Sequence, residues 1–143
     1  MTWVVDASVA VKWFVEEQRS TAARAVLESG QPIIAPDLII PESSNTAWKK
    51  VKRGDISREH AEAMVRALPL SFDRLVATAP LSSSALQLAL RFNHPTYDCF
   101  YIALAEDASA PLITDDQRVI DLAKKAGLGK LVKALGAFER RSK

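Results

Sequence analysis

Two short apolar runs in this chain stop at carboxylates and give way at once to helical spacing. Thr2-Trp3-Val4-Val5 runs into Asp6, and Pro111-Leu112-Ile113-Thr114 runs into Asp115 and Asp116. Runs this short suit buried strands rather than helices. Pro32-Ile33-Ile34-Ala35 is a third strand of the same kind, Leu70-Ser71-Phe72 a fourth, and the chain near Leu131-Val132 a fifth. Between them the spacing predicts helices over residues 7–15, 20–29, 38–53, 57–68, 81–92 and 96–107. Gly30 and Gly54 stop the second and third, Ser57 caps the fourth, and Pro95 breaks the fifth. Thr114 and Gln117 have capping-box spacing and open a last helix that runs to Gly127. Strands separated by helices build an α/β sandwich of three layers, α/β/α, around a mostly parallel sheet of four to five short strands. Ligands of such sheets collect at the carboxyl ends of the strands, where Asp6 and the Asp115–Asp116 pair fall.

A chain of 143 residues fits one domain, so residues 1–143 are read as a single unit. The lone Cys99 cannot form an internal disulfide, which favours a reducing compartment. The first basic residue is Lys12, and Asp6 interrupts the only apolar stretch near the start, so no signal peptide is expected. The longest apolar run, residues 99–105, falls far short of the roughly 20 needed to span a bilayer. These features lead us to expect a cytoplasmic protein with no membrane partner. A formal charge of +2 is too weak to argue for nucleic acid. On spacing alone, the basic clusters Lys49, Lys50, Lys52, Arg53 and the tail from Lys124 to Lys143 read as solvated helix faces.

Four acids resist that kind of explanation to different degrees. Asp6 fits an N-cap as well as a functional site. Glu42 lies in the first turns of a helix, where it favours the dipole. From it a stripe runs through Asn45, Thr46 and Lys49 at i+3, i+4 and i+7, extended by Lys52 and Arg53. Asp98 precedes Cys99-Phe100-Tyr101-Ile102-Ala103-Leu104-Ala105, and a carboxylate among so much buried surface needs a hydrogen bond, an ion pair or a metal. Asp115 and Asp116 stand together in a first helical turn, which local stability explains for one more easily than for both. Carboxylates drawn together repel one another and a divalent cation relieves that repulsion. Hard oxygen donors without a His or Cys cluster point to Mg²⁺ or Mn²⁺, and His60 and His94 are too isolated for zinc. Such a metal suits phosphoryl chemistry.

The chain resembles the PIN-domain family, and within it the VapC-type toxins of bacterial toxin–antitoxin modules. The resemblance rests on "VVDASVAVKWF", "APDLIIPESSNTAWKKVKRGDIS", "HPTYDCFYIALAE" and "APLITDDQRV", in that order along nearly the whole chain. It implies a PIN-like fold and maps Asp6, Glu42, Asp98 and Asp116 onto the family's four acidic positions. Thr114, Ser8 and Asn45 match its recurrent polar positions. Asp115 stands where many relatives carry a small or polar residue, which leaves open which of the two adjacent acids faces the metal; Asp116 is favoured. The resemblance also implies cleavage of single-stranded RNA, a homodimer, and inhibition by a small cognate antitoxin.

The expected activity is hydrolysis of an RNA phosphodiester by a metal-activated water. Asp6, Asp98 and Asp116 hold the cation, Glu42 serves as ligand or base, and Lys49, Lys52 and Arg53 steer the strand. Phosphatases with a strand-terminal nucleophile place a second aspartate two residues on, where this chain has Ser8. Receiver-type domains need an acid on a central strand, and the Ile33-Ile34-Ala35 run has none at its tip. A catalytically inactive PIN-like module that binds RNA or protein is the non-enzyme alternative.

Overall fold

The structure is a computed structural model and describes residues 1–142, with side chains through Glu139. The basic tail therefore ends, at Lys143, outside the described residues. Five strands form one sheet: β1 (Trp3–Val5), β2 (Ile33–Pro36), β3 (Arg74–Val76), β4 (Leu112–Thr114) and β5 (Val132–Ala134), in the order β3-β2-β1-β4-β5. Every pairing is parallel. The expected α/β architecture with its parallel sheet is thus observed.

Every residue of the three central strands is buried, in β1, β2 and β4 alike. Alternate strand residues point to opposite faces, so continuous burial means that both faces are covered. Among the described residues the α-helices are α1 (Ala7–Ala10), α2 (Ser20–Leu27), α3 (Ile39–Lys52), α4 (Arg58–Ala67), α5 (Ser82–Phe92), α6 (Thr96–Ala108) and α7 (Gln117–Lys125). Helix α6 packs against β1, β2 and β4, with α5 alongside it. Its buried residues Cys99 and Tyr101 to Ala105 explain why its sequence is apolar nearly all round. Helix α2 packs on the C-terminal 3₁₀ segment Leu135–Ser142, whose Phe138 meets Trp3 edge-on at 5.2 Å. A smaller cluster of Val11, Val15, Ala47, Ala61 and Met64 joins α3 and α4.

Several local expectations needed correction. Leu70-Ser71-Phe72 is not a strand: Leu68–Ser71 is a 3₁₀ turn, and the strand is Arg74–Val76 on the sheet edge. Residues 7–15 do not form one helix, since α1 passes into a 3₁₀ turn at Val11–Trp13. Thr114 is not an N-cap. Asp116 is, accepting from the Arg118 N–H, and Gln117 donates instead to Asp121. Ser57 does cap α4, through the His60 N–H. Gly54 and Gly127 follow α3 and α7 with φ of 81° and 75°, which only glycine adopts without strain. Among the described residues, no helix is long and apolar enough to cross a membrane.

Candidate active site

Register delivers the first acid. Val4 and Val5 of β1 lie beside Leu112 and Ile113 of β4, so Asp6 and Thr114 emerge side by side at the carboxyl edge. Asp6 occupies the N-cap position of α1, yet its side chain caps nothing. It instead receives two hydroxyl hydrogen bonds, from Ser8 to Oδ1 at 2.6 Å and from Thr114 to Oδ2 at 2.5 Å. Each hydroxyl is itself fixed by the next loop: Ser8 accepts from the Asp115 N–H and Thr114 from the Asp116 N–H. The four groups lock the tip of β1 to the tip of β4. Asp6 is only 6% exposed. Burial pushes its carboxyl up to about 7; the two hydroxyls oppose that shift, and the charges of Asp98 and Asp116 add to it.

The other three acids arrive on helix starts. Glu42, in the first turn of α3, accepts from the Tyr101 hydroxyl. Burial raises its pKa, the Tyr101 bond offsets part of the rise, and Asp98 adds to it. Burial, followed by the Glu42 carboxylate, holds the Tyr101 phenol well above its ordinary value, so it stays a donor. Asp98, in the first turn of α6, lies 2.7 Å from His94 Nε2. Asp116 bonds the Arg118 N–H and side chain. Partial burial pushes Asp116 up, but Arg118 outweighs it and holds the carboxyl below its ordinary value.

All four acids line one cavity of about 330 Å³, together with Ser8, Asn45, Lys49, Tyr101 and Arg118. Asp115 points away from it, to Arg19 Nε at 2.7 Å and Lys12 Nζ at 3.3 Å. Of the two adjacent acids, Asp116 is the one that lines the cavity. Lys52 and Arg53 do not reach the cavity. Lys52 lies over the Trp48 ring and Arg53 pairs with Asp55. Lys50 is not on a solvated face either: it is buried and bonds Glu17, which also pairs with the buried Lys12. His60 meets the Phe14 carbonyl, and His94, in the connection between α5 and α6, partners Asp98. Sequence reasoning missed His94, Tyr101 and Arg118. Tyr101 follows Asp98 at i+3, one helical turn on, which was a usable signal; the other two carried none.

The acids share the cavity without converging on one point. Among the described residues, no group of three or more His, Cys, Asp or Glu side chains is placed to hold an ion as it stands. Mg²⁺, however, keeps several waters and takes only one or two carboxylates directly. The donor set fits that habit, being all oxygen. Burial raises Asp6 and Glu42, and the neighbouring carboxylates add to the rise; a cation bound among them offsets both effects.

The PIN domain family model matches residues 3–125. The chain belongs to the PIN-domain family. This PIN domain is 32% identical over 123 residues to "Ribonuclease VapC3" of Pyrobaculum aerophilum, across 85% of this chain and 94% of that relative. Among solved structures it is similar to PAE2754 of Pyrobaculum aerophilum, with a TM-score of 0.73 at 22% identity, covering 99% of this chain and 88% of that one. It is also similar to VapBC2 from Rickettsia felis bound to a promoter DNA fragment, with a TM-score of 0.67 at 10% identity, covering 94% and 98%. These structural likenesses establish the shared PIN fold.

Proposed function

We propose that this PIN domain is a Mg²⁺- or Mn²⁺-dependent ribonuclease that hydrolyses RNA phosphodiester bonds, the toxin of a VapBC-type pair. The observation that carries the reading is the buried Asp6, clamped by Ser8 and Thr114 and sharing one cavity with Glu42, Asp98 and Asp116. A buried carboxylate held in two hydrogen bonds, with its pKa raised toward neutrality, is an expensive arrangement for packing alone. The "Ribonuclease VapC3" relative supports the same reading.

Asp6, Asp98 and Asp116 would hold the cation, directly or through water. When bound, it supplies charge neutralisation at the phosphate and a more acidic water. The chain's own groups do the rest. Lys49 and Arg118 line the cavity and attract the phosphate. Ser8 and Thr114 keep both oxygens of Asp6 oriented. Tyr101 fixes Oε1 of Glu42, whose raised proton affinity suits it to accept a proton from the attacking water. The water oxygen bonds to phosphorus, one ester P–O bond breaks, and the leaving oxygen takes up a proton. By the same family resemblance we propose a homodimer and a small cognate antitoxin as partners.

The test is cleavage of end-labelled single-stranded RNA. Wild-type protein with Mn²⁺ should cut it, chelation should stop the reaction, and Asp98→Asn should lower the rate by about a hundredfold or more while the protein stays folded. Undiminished cleavage by Asp98→Asn would remove the site. RNA that the folded wild type binds but leaves intact at every metal concentration would favour the inactive binding module.

A further inference from the structure

A second concavity opens beside the acid cavity, and its chemistry differs. It encloses about 480 Å³ and is lined by Leu38, Pro41, Glu42, Asn45 and Tyr97. The first four form one stripe along the start of α3, at i, i+3, i+4 and i+7. Tyr97 comes from the first turn of α6, one residue before Asp98. Glu42 and Asn45 line both concavities, so the apolar hollow and the acid cavity are continuous across those two side chains.

The aromatic ring there is presented rather than packed. Tyr97 is 60% exposed, although the helix beneath it is buried from Tyr101 to Ala105 and cannot rotate. Among the described residues the two aromatic ring pairs, Trp3 with Phe138 and Trp13 with Phe72, do not involve it. Its neighbours across the hollow, Leu38 and Pro41, add apolar surface, and the Asn45 amide adds a donor and an acceptor. Lys49, one turn beyond Asn45, lies in the acid cavity.

We propose that this hollow is a nucleobase subsite. It takes one unpaired base of an RNA strand, stacked on Tyr97 against Leu38 and Pro41, with the edge of the base hydrogen-bonded by Asn45. The adjoining phosphate then lies between Lys49 and the four acids. This rests on the ribonuclease reading. The argument for RNA is the alternation: an apolar hollow with an exposed ring, next to a charged cavity that holds Lys49, repeats the base-and-phosphate rhythm of a single strand, and a duplex cannot offer a base face to it. The subsite makes Tyr97 a selector for unpaired substrate.

Binding is measured in the Asp98→Asn background, where the strand stays intact and one repelling carboxylate is gone. A fluorescently labelled oligoribonucleotide, and the same strand with one abasic nucleotide at the central position, are titrated against this protein with and without Tyr97→Ala, Tyr97→Phe or Leu70→Ala. The change to Ala should weaken binding of the intact strand by about tenfold. Phe should restore most of that, Leu70→Ala should change nothing, and the abasic strand should bind the parent and Tyr97→Ala equally. Equal binding of the intact strand by the parent and Tyr97→Ala would overturn the subsite. So would a Tyr97→Ala protein that keeps its RNA affinity but sediments as a smaller species, which would make the hollow a protein contact. Wild-type cleavage is followed separately. Tyr97-dependent binding without any cleavage would keep the subsite and defeat the ribonuclease reading.

Discussion

Asp6 keeps its geometry through two hydroxyls, Ser8 two residues on in α1 and Thr114 at the end of the neighbouring strand β4. Replacing Thr114 with Val keeps the shape and removes the donor to Oδ2. The carboxylate loses a partner while staying buried, so Thr114→Val should cost about 1–3 kcal/mol in chemical denaturation and slow RNA cleavage with it. A variant as stable and as active as the parent would mean that Thr114 only fills space. The acids themselves were legible in the sequence because each interrupts or borders apolar chain: Asp6 after Val4-Val5, Asp98 before a buried helix, Asp116 after Ile113-Thr114. Their partners were not. His94 and Arg118 acquire meaning only when a loop or helix start folds back on an acid. Lys52 and Arg53 were misjudged by treating a stripe as unlimited. Ten residues beyond Glu42, Lys52 has turned about 80° around the helix, and Arg53 lies about 16 Å along it.

Helix α6 shows how an element carries a site. Its inner residues Ile102, Leu104 and Ala105 are essentially inaccessible, and its first turns present Asp98 and Tyr101 to the cavity. Leu104→Ala should destabilise the protein by about 2–5 kcal/mol, read as a lowered denaturation midpoint with unchanged slope. A loss below about 0.5 kcal/mol would mean that the helix is not anchored through Leu104. This helix was plain in the sequence because burial on all sides leaves a continuous apolar signature. The edge strand β3 was not. Arg74 is exposed and Leu75 and Val76 only half-buried, so the strand lacks that signature, whereas Phe72 just before it packs on Trp13 and mimics one. The capping box failed for a related reason: the Thr114 hydroxyl is already committed to Asp6, and Asp116 takes over the helix start.

For the molecule as a whole, the raised pKa of Asp6 fixes the direction of one pH effect. Between the ordinary carboxylate value of 3.8 and about 7, the metal-free native state binds a proton there that the unfolded chain has lost. This contribution to stability is therefore present at low pH and disappears as pH rises through that window. Mn²⁺, which competes with the proton and binds only the folded site, should raise the melting temperature more at pH 8 than at pH 5. Equal shifts at the two pH values, or none, would sink the cation site. The strand order carries a last consequence. The central strand β1 is made first, but its neighbour β4 and the Thr114 clamp lie more than a hundred residues later, as do Asp116 and Arg118. A ribosome releasing the chain from its N-terminus therefore cannot assemble the acid cavity until the segment through Arg118 has emerged, and a product terminated before Thr114 lacks both the clamp and the last acid.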